Sequence, residues 1–227
     1  MNKLLIAIVT LSGVIPCSSS YAATSDTSGR YMDTTIRGWK VYVSTEIYNP
    51  LLVSRAYDTL DQELGAIQAV LPPQALSKLM LVSIWLDYTV PPNTVSYYYF
   101  ESSDKLKEEG RDLRKEGSIG TQIVDYVNAS HDSLPLLKWF AYAYLYRELG
   151  LNNFKIIPAF EKAQQSGIYD VRFRNRVMIR DEMDYFAILS EAYFAGKLSY
   201  PPYDREKLKE VDPDGYNMVE KMWGIKN

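Results

Sequence analysis

Two kinds of apolar pattern follow one another along this chain, and their order is the strongest constraint on its fold. Strand-like patterns, either alternating or continuously apolar, fall in the first part, at residues 38–44, 81–86, 95–100 and 119–127. Helical spacing fills the rest, at residues 133–149, 153–166, 181–195, 204–210 and 216–223. Strands followed by helices are typical of the α+β class. We therefore predict an N-terminal mixed β-sheet with helices and a mainly helical C-terminal half.

Three further segments complete the secondary-structure prediction. Apolar residues recur at helical spacing from Leu51 to Val70, and Pro72-Pro73 ends that helix. The segment from Asp104 to Glu116 is highly charged and is predicted to be a solvated helix or loop. Asp212-Pro213-Asp214-Gly215 is predicted to form a turn.

The first 22 residues have the features of a secretory signal peptide. Lys3 supplies a positive charge, residues 4–15 form a short apolar run, and Ser20-Tyr21-Ala22 places small residues at positions −3 and −1 of a cleavage point. The run holds about 12 residues, too few to cross a bilayer core of about 30 Å as a helix. Lipid attachment at Cys17 is the alternative, but Pro16 directly before it fits that signal poorly. We predict an exported protein, periplasmic or secreted.

Cleavage after Ala22 would remove Cys17, the only cysteine, so the mature chain could form no intramolecular disulfide. Its stability would then come from a hydrophobic core, and about 200 residues bury enough surface for one domain. Residues 23–37 are small and polar and are predicted to be a flexible lead-in to a single domain at 38–227.

Charge and hydropathy argue against two kinds of partner. Without Lys3 the chain carries 24 basic and 28 acidic residues and has no basic stripe, so we expect no nucleic-acid binding. No later apolar run approaches about 18 residues, so we expect no membrane insertion.

Two stretches of the second half, Leu136–Tyr144 and Asp184–Phe194, carry a resemblance to a known family. They resemble the anthrax-lethal-factor-type zinc peptidases, in which one helix carries His-Glu-x-x-His and a later helix carries Glu-Tyr-Phe-Ala-Glu followed by an Ala-Tyr/Phe-Phe segment. Shorter matches are Ala159-Phe160, Gly167–Asp170, Tyr200–Pro202, Glu206–Lys209, Asp212-Pro213 and Trp223. The resemblance spans residues 38–223, is most specific from residue 134 onward, and implies a zincin-like fold.

The active positions of that family are replaced here almost throughout. The resemblance places the two metal-binding histidines at Lys138 and Tyr142, and the general-base glutamate at Trp139. It places the glutamate ligand at Asp184 and the transition-state tyrosine at Val177. It therefore implies the fold of the family without its zinc chemistry.

The residue types present lead independently to the same expectation. Catalytic zinc takes about three nitrogen, sulfur or carboxylate ligands and keeps one position open for water. The mature chain would have one histidine, His131, and no cysteine, and it has no Asp-x-Asp-x-Asp-Gly calcium loop. We predict no metal and no other cofactor. We expect His131, next to a helix start, to be solvated or to cap that helix.

These observations predict a catalytically inactive metallopeptidase-like protein that binds a peptide or protein in the former active-site cleft. Candidate cleft residues are Lys138, Tyr142, Asp184 and Glu191, and zincin-like folds have an exposed strand edge that can accept an extended peptide. The alternative is an enzyme with metal-independent, carboxylate-based hydrolytic chemistry, in which Asp184 and another carboxylate act as acid and base.

If the backbone of that family is retained, Lys138, Tyr142 and Asp184 should converge where zinc would lie. A lone carboxylate is costly to bury, so we predict an ion pair between Lys138 and Asp184, with the Tyr142 hydroxyl bonded to the carboxylate. Trp139 should then fill the place of the catalytic glutamate and its water.

Overall fold

The computed structural model describes residues 24–25, 30–89, 97–131, 133–169, 172–173, 176–177 and 179–225. The signal peptide predicted over residues 1–22 lies outside these ranges. The strands are β1 (Thr24–Ser25), β2 (Tyr31–Ile36), β3 (Trp39–Ser44), β4 (Ile84–Asp87), β5 (Tyr97–Tyr99), β6 (Ile119–Gln122), β7 (Arg172–Phe173) and β8 (Arg176–Val177). The α-helices are α1 (Pro50–Val70), α2 (Pro73–Leu79), α3 (Ser103–Glu108), α4 (Ile123–Asn128), α5 (Pro135–Tyr144), α6 (Ile156–Ser166), α7 (Glu182–Phe194), α8 (Arg205–Val211) and α9 (Pro213–Trp223).

The main sheet is mixed and has the strand order β1-β2-β3-β4-β6-β5. Its three central strands, β3, β4 and β6, run parallel, whereas β2 and β5 pair antiparallel with their neighbours. The strands β7 and β8 form a separate antiparallel pair. The fold is of the α+β class, as the order of patterns in the sequence predicts.

The predicted flexible lead-in is wrong over residues 31–36, because these residues form β2 and pair with β3 along their whole length. A two-residue turn, Arg37-Gly38, joins the strands, and both residues have positive φ, 52° and 91°. Such turns match the twist of the two strands they join. Glycine is favoured at position 38 because a φ of 91° is one that residues with a side chain rarely adopt.

Two other secondary-structure predictions are wrong in part. The strand predicted over 119–127 ends at Gln122, and Ile123–Asn128 forms α4 instead. Short apolar segments fit both the strand period and the helix period, and here contact with α1 favours the helix. The turn predicted at 212–215 is the start of α9, because the Asp212 carboxylate accepts a hydrogen bond from Gly215 N at 2.8 Å and caps that helix.

The core lies between one face of the sheet and the helices. Helix α1 contributes Leu60, Leu64 and Ile67 to it, each fully buried, at the spacing that predicts this helix. The Trp39 and Phe140 rings, 5.5 Å apart between centroids, join β3 to α5. Helix α7 is buried from Asp184 to Tyr193 and contacts α5, α6, α8 and α9. Of the two helices of the predicted site, α7 therefore lies inside the molecule, and α5 buries one face.

Lys115 of the charged segment packs on the other face of the sheet, so the predicted solvation of this segment is wrong at that residue. The Lys115 ammonium lies 2.7 Å from both carboxylate oxygens of Asp87, and the two side chains are 5% and 8% exposed. The hydroxyls of Tyr31 and Tyr98 donate to the same carboxylate at 2.8 and 3.1 Å. This buried ion pair joins residues 28 positions apart.

Within the described ranges, every helix is too short or too polar to cross a membrane.

Candidate functional site

Helices α5 and α7 pack against each other and bring several of the predicted site residues together. Helix α5 begins after Leu134, which has a left-handed backbone (φ 49°), with Pro135 in its first turn. Helix α7 is capped by Asp181, whose carboxylate accepts from the backbone N–H groups of Met183 and Asp184 at 3.1 and 2.8 Å.

Asp184 is buried, 3% exposed, and has four donors around its carboxylate. Oδ1 accepts a short hydrogen bond from the Tyr142 hydroxyl, as predicted, and one from Arg180 Nη2 at 3.3 Å. Oδ2 accepts from Arg180 Nε at 2.7 Å and from Arg180 N at 3.2 Å. Burial opposes ionisation, but the hydrogen bonds from Arg180 and Tyr142 hold the pKa of the Asp184 carboxyl below its ordinary value. Burial and the nearby Asp184 charge raise the pKa of Tyr142.

The predicted ion pair between Lys138 and Asp184 is wrong. The ion-pair partner of Asp184 is Arg180, four residues earlier in the chain, and Lys138 lies beyond 4.0 Å from the carboxylate. Arg180 directly precedes the α7 cap, so both its backbone N–H and its guanidinium reach Asp184 without a long-range contact. The Lys138 ammonium lies 5.9 Å from the centroid of the Trp139 ring.

Trp139 is half-buried and packs beside the pair formed by Tyr142 and Asp184. Its ring stacks on the Tyr142 ring, with centroids 5.2 Å apart and planes 22° apart. Val177, the position of the family's tyrosine, lies in β8, opposite Arg172 of β7.

Glu191 lies two turns after Asp184 on α7 and is also 3% exposed. Its Oε2 accepts a short hydrogen bond from the Tyr200 hydroxyl. Burial raises the pKa of Glu191 to about 7, although the charge of Lys138 and the Tyr200 hydrogen bond lower it; the charge of Glu63 adds to the rise. Lys138 therefore acts on Glu191 in place of its predicted partner Asp184.

Sequence reasoning missed another buried acid, Glu63 of α1, and its partner His131. The Glu63 side chain is fully buried, and its carboxylate contacts His131 Nδ1 at 2.9 Å, the Tyr126 hydroxyl at 2.8 Å and Leu136 N at 2.7 Å. His131 Nε2 lies 2.8 Å from the Tyr126 carbonyl oxygen and must donate to it. The expectation that His131 caps the helix that follows it is wrong, because its Nε2 bonds a carbonyl in the last turn of α4 instead. The side chain is partly solvated, 22% exposed. The sequence contains one signal for this acid, since Glu63 falls among the apolar residues of the α1 stripe.

The edge of the main sheet lies next to this helix pair. Within the described part of the chain β5 is the edge strand on this side, with β1 at the opposite edge, and β5 contacts α5. The Tyr99 ring of β5 packs on the Tyr146 ring, with centroids 5.2 Å apart. The Tyr146 hydroxyl in turn lies 3.3 Å from Met183 Sδ, adjacent to Asp184. Tyr146 belongs to the π-helical turn Leu145–Leu149, a local geometry that is frequent at functional sites.

Among the described residues, no three histidine, cysteine, aspartate or glutamate side chains are grouped so that they could hold a metal ion. The four atoms that contact the Asp184 carboxylate are all hydrogen-bond donors, so this acid is already neutralised by protein groups.

Comparison of the chain with protein-family models finds no match. Comparison with curated proteins also finds no match. No solved structure matches either.

Proposed function

We propose that this chain is an exported, peptidase-like protein that binds an extended peptide beside β5 and carries out no metallopeptidase chemistry. The observation on which the proposal rests is that Tyr142 and Arg180 hydrogen-bond to the Asp184 carboxylate. These three residues are called the closed group below. The closed group lies where the resemblance to the lethal-factor-type peptidases implies the second histidine and the acidic metal ligand. Arginine supplies the positive charge that a metal would supply in an active member of that family.

The position of the closed group beside a sheet edge supports peptide binding. Zincin-like peptidases hold an extended peptide along a strand edge next to the metal-binding helix, and a strand edge offers unpaired backbone groups for such pairing. Here β5 is antiparallel to β6 and contacts α5, which carries Tyr142. The contacts from Tyr99 through Tyr146 to Met183 link the edge strand to the residue next to Asp184.

The hydrogen-bond pattern of β5 identifies the residue that would pair with a peptide. Phe100 N donates to Ser118 O at 3.0 Å, and in an antiparallel pair the direction of the backbone groups alternates from residue to residue. Phe100 and Tyr98 therefore direct their N–H and C=O groups toward β6. The backbone of Tyr99 points the other way, toward the edge, and is the expected partner of an added strand.

A matched pair of variants at Tyr99 tests this proposal. Tyr99→Ala and Tyr99→Pro both remove the ring, but only proline removes the outward N–H, and neither disturbs the bonds to β6. In a screen of unstructured peptides, we expect ligands that bind the parent and Tyr99→Ala but lose most of their affinity for Tyr99→Pro. Thermal melting of both variants checks that they fold alike. Equal binding by the two variants would show that the edge of β5 is not the site.

The same peptides test the absence of peptidase activity. We expect each bound peptide to be recovered intact after long incubation with the protein. Cleavage that an Asp184→Asn substitution abolishes would contradict the inactive assignment.

A second candidate function, metal-independent acid and base chemistry, is favoured by one observation. The environments of Asp184 and Glu191 push their pKa values in opposite directions, a pattern found in pairs of catalytic carboxylates. Two features weigh against it. Both acids are 3% exposed, and their seven-residue separation on one helix places their Cα atoms about 10 Å apart. Hydrolysis that Glu191→Gln and Asp184→Asn each abolish would favour this candidate over peptide binding alone.

A further inference from the structure

A groove of about 390 Å³ separates α6 from α9, and its lining contains none of the candidate site residues described above. Each helix contributes a stripe of side chains at positions i, i+3, i+4 and i+7, from Lys155 to Lys162 on one wall and from Asp214 to Lys221 on the other. Such stripes are the repeat by which one helix contacts another. The groove is therefore bounded by two helical ridges and runs for about two turns, or about 10 Å.

Phe154 stands in solvent at one end of this groove. Its side chain is 76% exposed, and Leu151 in the same loop is 40% exposed. The thioether of Met218, which is 5% exposed, lies among the groove residues. Large apolar side chains exposed beside a concave surface are typical of interaction sites.

The charge of the groove is opposite to that of the whole chain. Lys155, Lys162 and Lys221 line it together with one acid, Asp214, whereas the chain as a whole has a net charge of −3. Lys162 is paired with Asp214. Lys155 and Lys221 have no ion-pair partner within 4.0 Å among the described residues, and Lys155 lies 5.3 Å from the Phe154 ring centroid. The Lys155 ammonium thus stands next to an exposed aromatic ring, and Lys221 lines the same groove.

We propose that the groove between α6 and α9 is a docking surface for an acidic amphipathic helix of a partner protein. An apolar stripe on such a helix would bury Phe154 and contact Met218, and flanking glutamates would pair with Lys155 and Lys221. A helix fits better than an extended strand because both walls are helices and the groove has no sheet edge to extend. The surface is separate from β5, so the two proposals can fail independently.

The test uses a fluorescently labelled helical peptide of about 16 residues, with leucine at i, i+3, i+4 and i+7 and glutamate on both sides of the stripe. We expect saturable binding to the protein by fluorescence anisotropy, weakened by salt. The double variant Lys155→Glu/Lys221→Glu should bind about ten-fold more weakly or worse. Phe154→Ser should also weaken binding. The same peptide with lysine in place of glutamate should show the reverse preference, favouring the charge-reversed protein.

Matched controls distinguish binding in this groove from non-specific effects of net charge and of exposed apolar side chains. Lys105→Glu/Lys209→Glu makes the same change of net charge at two exposed lysines elsewhere, and Leu51→Ser removes another apolar side chain that is 75% exposed. Both controls should bind the acidic peptide as the parent does, as should Tyr99→Pro. Absence of binding, or equal loss in the controls, would overturn the proposal. Binding to phosphatidylglycerol vesicles but not to the peptide would also overturn it, in favour of a membrane surface.

Discussion

Replacing Glu191 with glutamine tests the buried carboxyl beside Lys138 and Tyr200. Burial raises the pKa of Glu191 from 4.5 to about 7 in the folded chain. Between these two values the unfolded chain has lost the proton and the folded chain retains it, so the free energy of unfolding falls as the pH rises. A pKa displaced from 4.5 to about 7 corresponds to about 3 kcal/mol. The parent should therefore lose about 3 kcal/mol of stability from this group between about pH 4 and about pH 8.

Glutamine cannot ionise, so the variant does not have this loss, and its amide oxygen can still accept the Tyr200 hydrogen bond. The free energy of unfolding can be measured by urea titration, with tryptophan fluorescence as the signal, at several pH values across this range. The free energy of unfolding of Glu191→Gln minus that of the parent should be about 3 kcal/mol larger at about pH 8 than at about pH 4. Any pH-independent effect of the substitution cancels in this comparison.

Two further variants complete the experiment. Glu206→Gln changes an exposed glutamate and should follow the parent at every pH. Lys138→Met removes the charge that lowers the pKa of Glu191, so this variant should be less stable than the parent at high pH, where Glu191 is ionised. A stability difference between Glu191→Gln and the parent that stays constant across the range would refute the assignment of a buried, proton-retaining carboxyl.

Other predictions concern metal and the ion pairs of Asp87 and Asp184. Metal analysis of the purified protein should find no stoichiometric zinc, and a chelator should leave the melting temperature unchanged; about one zinc per chain would contradict this. Lys115→Met should lower the free energy of unfolding by about 3–5 kcal/mol because it leaves the buried Asp87 carboxylate without its cation. Asp87→Leu in the same chain should restore only part of the loss, because the Tyr31 and Tyr98 hydroxyls then lose their acceptor. Tyr142→Phe should cost about 2 kcal/mol because it removes a hydrogen bond to a buried carboxylate. Arg180→Met should cost less, about 1 kcal/mol, because the Arg180 side chain is 71% exposed and solvent screens its pair with Asp184. If chemical denaturation shows Arg180→Met to be the more destabilising of the two variants, these assigned contributions are wrong.

Secondary structure could be predicted where the signal is local and regular. The apolar stripe of α1 and the capped starts of α7 and α8 mark helices to within a residue or two of their ends. The errors fall where local signals are ambiguous. Ile123–Asn128 fits a strand or a helix, and contact with α1 favours the helix. Asp212-Pro213-Asp214-Gly215 fits a turn or a helix start, and the Asp212 cap makes it a helix start.

In the candidate site, too, some contacts could be predicted from the sequence and others could not. The contact between Tyr142 and Asp184 could be expected from the resemblance, because it depends only on the two helices lying side by side. The choice of Arg180 over Lys138 could not, because it depends on where a flexible side chain finds a carboxylate within reach. The pairing of Glu63 with His131 joins residues 68 positions apart and has no local pattern.

By itself, the sequence determined the α+β class, the core-facing residues of the long helices and the shortage of histidine and cysteine ligands. These properties follow from composition and from periodicities within single segments. Only the tertiary structure decided which buried acids have a cation beside them and which acid retains its proton near neutral pH. Burial and ion pairing depend on contacts between distant segments, and a difference of a few ångströms in such a contact decides whether a charge is stabilised or suppressed.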